Sequence, residues 1–287
     1  MQSDKVTAPA LRSMKERGRR LVALTAYDYP TAQLLDQAGV DLLLVGDSVG
    51  DNALGLANTL PVTLEMMLHH TAAVSRGAKR ALVVADMPFL TYQVDPSAAL
   101  ENAGRLVREA GAEAVKVEGA GRRVVEAIEA LVEVGIPVLG HVGYTPQSTH
   151  AFGASRVRGK DADTARAVLD AAHRLESAGC SAVVLECTPA PLSRQITEEL
   201  VVPTIGIGAG PHCDGQVLIV HDVLNLGVAG AFRPRFAKQY ADLAATIHEA
   251  VSCYANEVRQ GVFPGPEHAF DMPQEELRRL TEEATES

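Results

Sequence analysis

The sequence contains no tryptophan, few aromatic residues and no long apolar run. Its longest apolar segments, 81–90 and 181–187, are much shorter than the roughly 20 residues of a membrane-spanning helix, and acidic residues interrupt both. The first twenty residues are charged and lack the apolar core of a secretory signal. The sequence therefore predicts no membrane span, and we expect a cytoplasmic location.

Positive charge and cysteine are also scarce. Twenty-six Lys and Arg against 36 Asp and Glu give a formal net charge of −10, which argues against nucleic acid as a partner because phosphate binding needs clustered cations. The four cysteines show no CxxC spacing, so we expect reduced, buried thiols and no metal or disulfide framework: Cys180, Cys187, Cys213 and Cys253. An enzyme of small metabolites fits this composition better.

Short apolar segments alternate with amphipathic ones along most of the chain. The predicted strands are 21–28, 41–48, 81–88, 114–119, 136–143, 181–188, 203–210 and 215–222. Helical patterns separate most of them, at 30–39, 63–78, 96–112, 122–135, 162–179 and 192–200. Several of these end in a glycine, which a left-handed helix terminus favours. Strands that are apolar on both faces and separated by helices indicate a parallel sheet covered by helices.

Eight such units in roughly 240 residues favour a (β/α)8 TIM barrel over an open doubly wound sheet. The connection 210–215 is too short for an ordinary helix, so the seventh helix is predicted to be short or missing. An extra helix over 8–18 precedes the first strand, and a long helix over 237–261 follows the last. We expect residues 1–271 to form a single catalytic domain and the charged segment 272–287 to be a tail, either a loose helix or disordered.

The stretch AVKVEG (114–119) places two charges inside an apolar strand. Because side chains alternate along a strand, Lys116 and Glu118 share one face while Val115 and Val117 share the other. On a solvent-facing surface such a pair would contribute little to stability.

Other predicted strands also end in polar residues, which are Asp28, Asp47, Ser48, Asp86, His141 and Glu186. Any one of them could instead cap a helix, form a hydrogen bond in the core or pair with an arginine. Barrel enzymes, however, place their chemistry at the carboxyl ends of the strands. The coincidence of so many polar residues at these positions therefore predicts an active site.

Three of the strand ends carry neighbouring carboxylates, namely Asp47, Asp86 and Glu118. Hard oxygen ligands of this kind suit Mg²⁺, whereas no HxH or HExxH spacing for zinc is present. A Mg²⁺ with open positions can chelate a 2-oxo acid and acidify the C–H next to its carbonyl, which makes an enolate accessible.

The remaining strand-end residues could serve such a reaction. Lys116 could neutralise the substrate carboxylate or the enolate oxygen, while Glu186 or His141 could move protons. A Schiff-base role for Lys116 competes with this, although neighbouring carboxylates keep an amine charged and less nucleophilic. The glycines of GIGAG (206–210) could approach a phosphate, but the stretch lacks the Walker lysine and the full dinucleotide fingerprint. Tight packing at a barrel corner is an equal alternative.

Many collinear stretches carry a further signal in combination: TAYDYPTA (25–32), VGDS (45–48), LPVT (60–63), HHTAAVSRGA (69–78), VADMPF (84–89), AVKVEG, IPVLGHVGYTPQS (136–148), VLEC (184–187), GIGAG, CDGQVL (213–218), FAKQYA (236–241) and GVFPGPEHAF (261–270). In these stretches, from about residue 8 to residue 271, the chain resembles the 3-methyl-2-oxobutanoate hydroxymethyltransferase, or ketopantoate hydroxymethyltransferase, family.

The resemblance implies a Mg²⁺-dependent TIM barrel of the phosphoenolpyruvate/pyruvate type. It implies transfer of a hydroxymethyl group from 5,10-methylenetetrahydrofolate to 3-methyl-2-oxobutanoate, which forms 2-dehydropantoate on the route to pantothenate and coenzyme A. The expected partners are thus a small 2-oxo acid and a folate, and the expected assembly is a homodecamer of two pentameric rings.

Matched position by position, the family's metal ligands correspond to Asp47, Asp86 and, as a further carboxylate, Glu118. Its substrate-binding positions correspond to Asp47, Ser48, Asp86, Lys116 and the pocket histidine His141. Its proton acceptor corresponds to Glu186. Two loops expected above the barrel rim, 46–59 and 149–161, depart from the usual family pattern, so we expect any difference from the family to affect folate contacts more than the metal site.

Two other functions fit parts of the pattern. A Mg²⁺-dependent lyase or aldolase of 2-oxo acids would use the same enolate chemistry, but such lyases are expected to carry a catalytic cysteine on a mobile loop, and no cysteine of this sequence has that context. An inactive barrel that serves only as an assembly unit would have no reason to keep three carboxylates together. Their mutual repulsion would cost stability without a metal.

Overall fold

The structure is a computed structural model that describes residues 4–153, 157–227 and 234–283. Eight parallel strands pair in sequence order and close into a barrel, as predicted. The strands are Leu21–Thr25 (β1), Leu42–Val45 (β2), Leu82–Asp86 (β3), Ala114–Glu118 (β4), Val138–Gly143 (β5), Ala182–Glu186 (β6), Thr204–Ile207 (β7) and Gly215–Leu218 (β8). Each lies within one of the eight predicted segments, so the TIM-barrel prediction is confirmed.

Helices lie between most of the strands along the chain. They are Ala8–Glu16 (α1), Tyr29–Gln37 (α2), Val49–Asn52 (α3), Leu64–Gly77 (α4), Pro96–Arg108 (α5), Arg122–Glu133 (α6), Thr149–Phe152 (α7), Ala162–Ser177 (α8), Ala190–Glu199 (α9), Val220–Leu224 (α10), Leu243–Gln260 (α11) and Gln274–Glu283 (α12). Residues 208–214, all of them described, form no helix between β7 and β8. The predicted extra helix before β1 is α1, and the predicted irregularity after β7 is confirmed.

Strand β8 is shorter than its apolar pattern predicts. The pattern extends over 215–222, but pairing ends at Leu218 and α10 starts at Val220. The backbone N–H of Val220 donates to Oγ1 of Thr25 at 3.0 Å, so this side chain takes the place of a strand neighbour. The apolar residues beyond Leu218 therefore belong to a helix.

From Asp242 onward the chain forms a second compact unit. The helix predicted over 237–261 begins only at Leu243, because the Asp242 carboxylate caps its first turn by accepting a backbone N–H at 3.2 Å. Helix α12 occupies the segment predicted as a tail. Cys253 lies exposed on α11, so the prediction of a buried thiol is wrong there, while the other three cysteines are buried and all four are free. In the part of the chain that is described, no helix has the length and apolar character needed to cross a membrane.

Two apolar clusters divide the first unit into an inner and an outer layer. The outer cluster includes Val115 and Val117 and packs the strands against the helices, as the alternation in AVKVEG predicts. The inner cluster fills the barrel with alternate strand residues, and α1 adds Leu11 and Met14 to it. The Nζ of Lys15 donates to three backbone carbonyls that precede β7, so α1 lies across the amino end of the barrel. The carboxyl end is left for the polar residues.

Gly143 is required where β5 ends beside Glu186. Its φ is +97°, and a Cβ there would collide with the backbone carbonyl oxygen of Glu186 and lie 2.8 Å from Thr188 Cγ2. We expect Gly143→Ala to lower the free energy of unfolding by about 3 kcal/mol, because backbone strain and overlap add. Urea denaturation measures this change.

The matched control is Gly104→Ala in the interior of α5, where an added Cβ meets no atom within 4 Å. This control is expected to stabilise the protein by up to about 1 kcal/mol, since alanine is the better helix former. Equal denaturation midpoints for the two variants would contradict the assignment of strain to Gly143.

Candidate active site

One cavity at the carboxyl end of the barrel collects the residues predicted from the sequence. Its volume is about 590 Å³, and its lining includes Asp47, Ser48, Asp86, Lys116, Glu118, His141 and Glu186. Strand register explains the convergence, because Asp86 pairs with Lys116 across β3 and β4, and Glu118 with His141 across β4 and β5. The structure therefore brings all seven predicted side chains together.

Lys116 is buried among carboxylates. Its Nζ lies 2.8 Å from Asp86 Oδ1 and 3.9 Å from Glu118 Oε1. Burial alone lowers the pKa of this amine, but Asp86, then Glu118 and Asp47, outweigh it and raise the pKa above its ordinary value. Lys116 is thus a charged ammonium at neutral pH, which suits anion binding and disfavours a Schiff base.

His141 lies between two carboxylates. Its Nδ1 is 3.3 Å from Glu118 Oε1, and its Nε2 is 3.3 Å from Glu186 Oε2. Burial lowers the pKa of the imidazole, but the contacts with Glu118 and Glu186 outweigh it and raise the pKa to about 9. Burial raises the pKa of Glu118, but the contact with His141 and the charge of Lys116 outweigh burial. The pKa of Glu118 is therefore lowered from its ordinary value. At neutral pH the histidine is therefore an imidazolium, and Glu186, with 16% of its side chain exposed, is the carboxylate open to the cavity.

The ionised form of Asp47 is destabilised by its surroundings. Its pKa is raised well above the ordinary value by burial and then by repulsion from Asp86 and Glu118, against which Lys116 and Gln147 act. The carboxylates thus outnumber the cations available to balance them. A bound cation would relieve this imbalance.

Gln147 is a central residue of the site that sequence reasoning missed. Its Nε2 donates to Asp47 Oδ2 at 2.9 Å and to the carbonyl of Met87 at 3.0 Å, and its backbone N–H donates to Glu118 Oε2 at 2.9 Å. Its Oε1 accepts from the Tyr92 hydroxyl at 2.7 Å. The one sequence feature that could have indicated Gln147 is its place in the TPQ stretch directly after the fifth strand. A neutral side chain in a turn, however, does not by itself predict a role in an active site.

Two further predicted features have structural explanations. The Ser48 hydroxyl shares a 2.8 Å hydrogen bond with the hydroxyl of Tyr27, which holds Ser48 at the cavity wall. Asp28 lies outside the site, because its carboxylate accepts the Thr31 N–H at 2.8 Å and caps α2. Its position at a strand end is therefore used for capping.

The glycines of GIGAG serve close packing. A Cβ on Gly208 would lie 2.7 Å from the ring of Phe236, and one on Gly210 would lie 2.5 Å from the Cβ of Ala190. A Cβ on Gly206 would likewise lie 2.9 Å from the Sγ of Cys213. The packing alternative considered for this stretch therefore accounts for all three glycines, and no phosphate has to be invoked.

The donor set at the strand ends fits a magnesium ion. Among the described residues, no group of three or more His, Cys, Asp and Glu side chains forms a ready-made metal cage. Magnesium does not need one, because it usually binds through one or two carboxylates and completes its shell with water and substrate. Asp47 and Asp86 are adjacent, since the Asp47 backbone N–H donates to Asp86 Oδ2 at 3.1 Å. Hard oxygens and uncompensated negative charge at this pair suit Mg²⁺.

The two loops that depart from the family pattern both line the cavity. The loop over 46–59 contributes Asp51, Asn52 and Asn58, and the loop over 149–161 contributes Thr149 and His150. Within the second loop, residues 154–156 lie outside the described part of the chain. These two loops therefore contribute polar residues to the lining of the cavity.

Comparison with known proteins supports the resemblance seen in the sequence. The family model described as ketopantoate hydroxymethyltransferase matches residues 5–266. The 3-methyl-2-oxobutanoate hydroxymethyltransferase of Moorella thermoacetica is 54% identical over 94% of this chain and 99% of its own length. That of Carboxydothermus hydrogenoformans is 52% identical over 96% of this chain and 99% of its own.

Solved structures share the fold at low sequence identity. A phosphoenolpyruvate phosphomutase from Streptomyces platensis subsp. rosaceus superposes with a TM-score of 0.61 at 14% identity, covering 97% of this chain and 96% of the other. A 2,3-dimethylmalate lyase of the PEP mutase/isocitrate lyase superfamily gives 0.58 at 18% identity, covering 98% and 97%. These structures share the barrel fold of this chain.

Proposed function

Because the chain belongs to the ketopantoate hydroxymethyltransferase family, we propose that it transfers a hydroxymethyl group from 5,10-methylenetetrahydrofolate to 3-methyl-2-oxobutanoate, with Mg²⁺ and through an enolate. The product is 2-dehydropantoate. The observation that carries the proposal is the convergence of a charged lysine, an imidazolium and four carboxylates in one cavity.

The keto acid binds at the inner end of the cavity. Lys116, held charged by Asp86, attracts the substrate carboxylate, and the Ser48 hydroxyl can donate to one of its oxygens. Asp47 and Asp86 would hold Mg²⁺, with Glu118 as a further carboxylate. When bound, the ion polarises the keto group and acidifies the hydrogen on C3.

Glu186 is the proposed proton acceptor. Its carboxylate is the most exposed of the four, and its Oε2 lies 3.3 Å from His141 Nε2. The imidazolium can donate a hydrogen bond to the Glu186 carboxylate in the resting enzyme, and the partly exposed Glu186 can release the proton taken from C3 to the cavity. The C3 carbon then forms its new bond with the methylene carbon of the folate. Both bonds from that carbon to the folate nitrogens break, water supplies the oxygen of the hydroxymethyl group, and tetrahydrofolate leaves.

The cavity is large enough for two substrates. Its volume of about 590 Å³ lies within the range of pockets that enclose drug-sized ligands, of which a small branched keto acid fills only a part. The part of the cavity lined by Asp51, Asn52 and Asn58 is the proposed location of the folate.

Assembly and location follow from family membership in this proposal. We propose a homodecamer of two pentameric rings in the cytoplasm. Light scattering of the purified protein measures the first of these directly.

Hydrogen exchange at C3 tests the proposed chemistry. In D₂O, the protein with Mg²⁺ is expected to exchange the C3 hydrogen of 3-methyl-2-oxobutanoate without folate, and chelation of the metal is expected to stop the exchange. Proton NMR of the substrate follows the reaction. Adding methylenetetrahydrofolate should then yield 2-dehydropantoate. Absence of exchange in the intact protein would exclude the enolate mechanism, whereas exchange without product would favour a lyase.

A further inference from the structure

We propose that Gln147 is a positioning residue, which sets the oxygen that Asp47 and Glu118 each present to the cavity. The inference rests on the proposed function, in which these carboxylates serve a metal ion. Gln147 is 6% exposed and lies in the turn after β5, far along the chain from the aspartate it contacts.

A single residue contacts both carboxylates, one through its side chain and one through its backbone. The amide Nε2 holds Oδ2 of Asp47 at 2.9 Å, and the backbone N–H holds Oε2 of Glu118 at 2.9 Å. The Oε1 of Glu118 faces Lys116 and His141. Gln147 thereby fixes one oxygen of each carboxylate and directs the other.

The neighbours of the Gln147 amide fix which of its ends is oxygen and which is nitrogen. The Tyr92 hydroxyl accepts the Glu118 backbone N–H at 2.9 Å, and its oxygen lies closer to Gln147 Oε1, at 2.7 Å, than to the Glu118 carbonyl oxygen, at 3.3 Å, so its one hydrogen is directed to Oε1. The Nε2 of Gln93 donates to the same Oε1 at 3.0 Å. With two donors on Oε1, the Nε2 end must face the acceptors, which are Asp47 Oδ2 and the carbonyl of Met87. A flipped amide would place its oxygen against Asp47 Oδ2 and the Met87 carbonyl, and its nitrogen against the Nε2 of Gln93.

The neutrality of glutamine matters for this role. A lysine or arginine at the same place would orient Asp47 but would also neutralise it. The amide orients the carboxylate and leaves its charge for a cation, as outer groups around metal ligands do. Gln147 therefore orients the carboxylate of Asp47 without neutralising its charge.

Substitution by methionine tests this role, because Gln147→Met keeps the length of the side chain and removes its donors and acceptor. The backbone N–H to Glu118 is retained. We expect the dissociation constant for Mn²⁺, read by electron paramagnetic resonance without substrates, to rise about 10- to 100-fold. The rate of C3 exchange at saturating metal should fall less than the affinity for metal.

The matched control is Gln93→Met, which removes a donor to the same Oε1. Gln93 itself donates no hydrogen bond to Asp47 or Glu118. Its Mn²⁺ affinity is expected to stay within about twofold of the unaltered protein, and thermal unfolding of both variants reports whether the fold is kept. If Gln147→Met fails to fold, Tyr92→Phe replaces it, with a weakening of Mn²⁺ binding of about fivefold expected, because the shorter hydrogen bond to Oε1 and the acceptor of the Glu118 backbone N–H are both lost.

The outcomes separate the two proposals. Unaltered protein that binds Mn²⁺ and a folded Gln147→Met variant that binds it equally well would overturn the positioning role and leave the proposed function standing. Unaltered protein that binds no Mn²⁺ and shows no C3 exchange would overturn the proposed function, and this inference with it.

Discussion

Replacing Asp86 by asparagine is expected to lower the turnover of 3-methyl-2-oxobutanoate about 1,000-fold. The carboxylate has two tasks, because Oδ1 pairs with Lys116 Nζ at 2.8 Å and Oδ2 accepts the Asp47 backbone N–H at 3.1 Å. An amide of the same shape can satisfy only one of these with its oxygen, and it removes half of the proposed aspartate pair for Mg²⁺. Steady-state assays and C3 exchange over a range of Mg²⁺ concentrations measure the loss.

The fold is expected to survive this substitution. Lys116 stays surrounded by Glu118 and Asp47, which also raise its pKa, so the buried ammonium is not left without a counter-charge. Asp28→Asn is the matched control at another strand end, where asparagine caps a helix as well as aspartate does. Its activity should change by less than about twofold. Retention of more than about a tenth of the activity by Asp86→Asn would refute the metal role.

Replacing Glu186 by glutamine is expected to lower the rate of C3 exchange about 1,000-fold and to leave the affinity for Mn²⁺ unchanged. The amide keeps the size of the side chain and its place beside His141 but cannot accept a proton from carbon. The two results together separate Glu186 from Asp86, because only the Asp86 variant should lose metal binding. Deuterium incorporation and Mn²⁺ titration on the same preparation provide both values.

A surface pair supplies the control for Glu186. Glu199 contacts His173 Nε2 at 2.9 Å in an exposed glutamate–histidine pair, so Glu199→Gln makes the same chemical change away from the cavity. This control should exchange C3 at the unaltered rate. If Glu186→Gln exchanges within about tenfold of the unaltered protein, another group removes the proton, and the proposed role of Glu186 is wrong.

The barrel and the convergence of most of the polar side chains could be predicted because both depend on short-range sequence patterns. Each strand is an apolar segment closed by a turn, and the alternation within AVKVEG alone separates Val115 and Val117 from Lys116 and Glu118. Side chains at equivalent strand ends meet whenever the barrel closes, so position along a strand was sufficient to group Asp86, Lys116, Glu118, His141 and Glu186.

Contacts that depend on the closed barrel were not predictable in this way. Gln147 and Asp47 lie 100 positions apart, and Tyr92 reaches Gln147 from a loop 55 positions away. Gln147 and Tyr92 are both uncharged, and neither of them lies at a strand end. The prediction of where β8 ends was wrong for a related reason. A hydrogen bond from the Val220 N–H to Thr25, 195 positions away, fixes the end of this strand.

The apolar cluster that α1 completes at the amino end of the barrel has a practical consequence for protein engineering. The cluster of Leu11, Met14 and the inner strand residues shares no member with the cavity residues Asp47, Asp86, Lys116, Glu118, His141 and Glu186. Its members Leu44, Val184 and Val217 line the cavity, whereas Leu11 and Met14 do not. Thermostability could therefore be raised by repacking around Leu11 and Met14, without the usual conflict between stability and activity, which arises where strained or charged residues carry the chemistry.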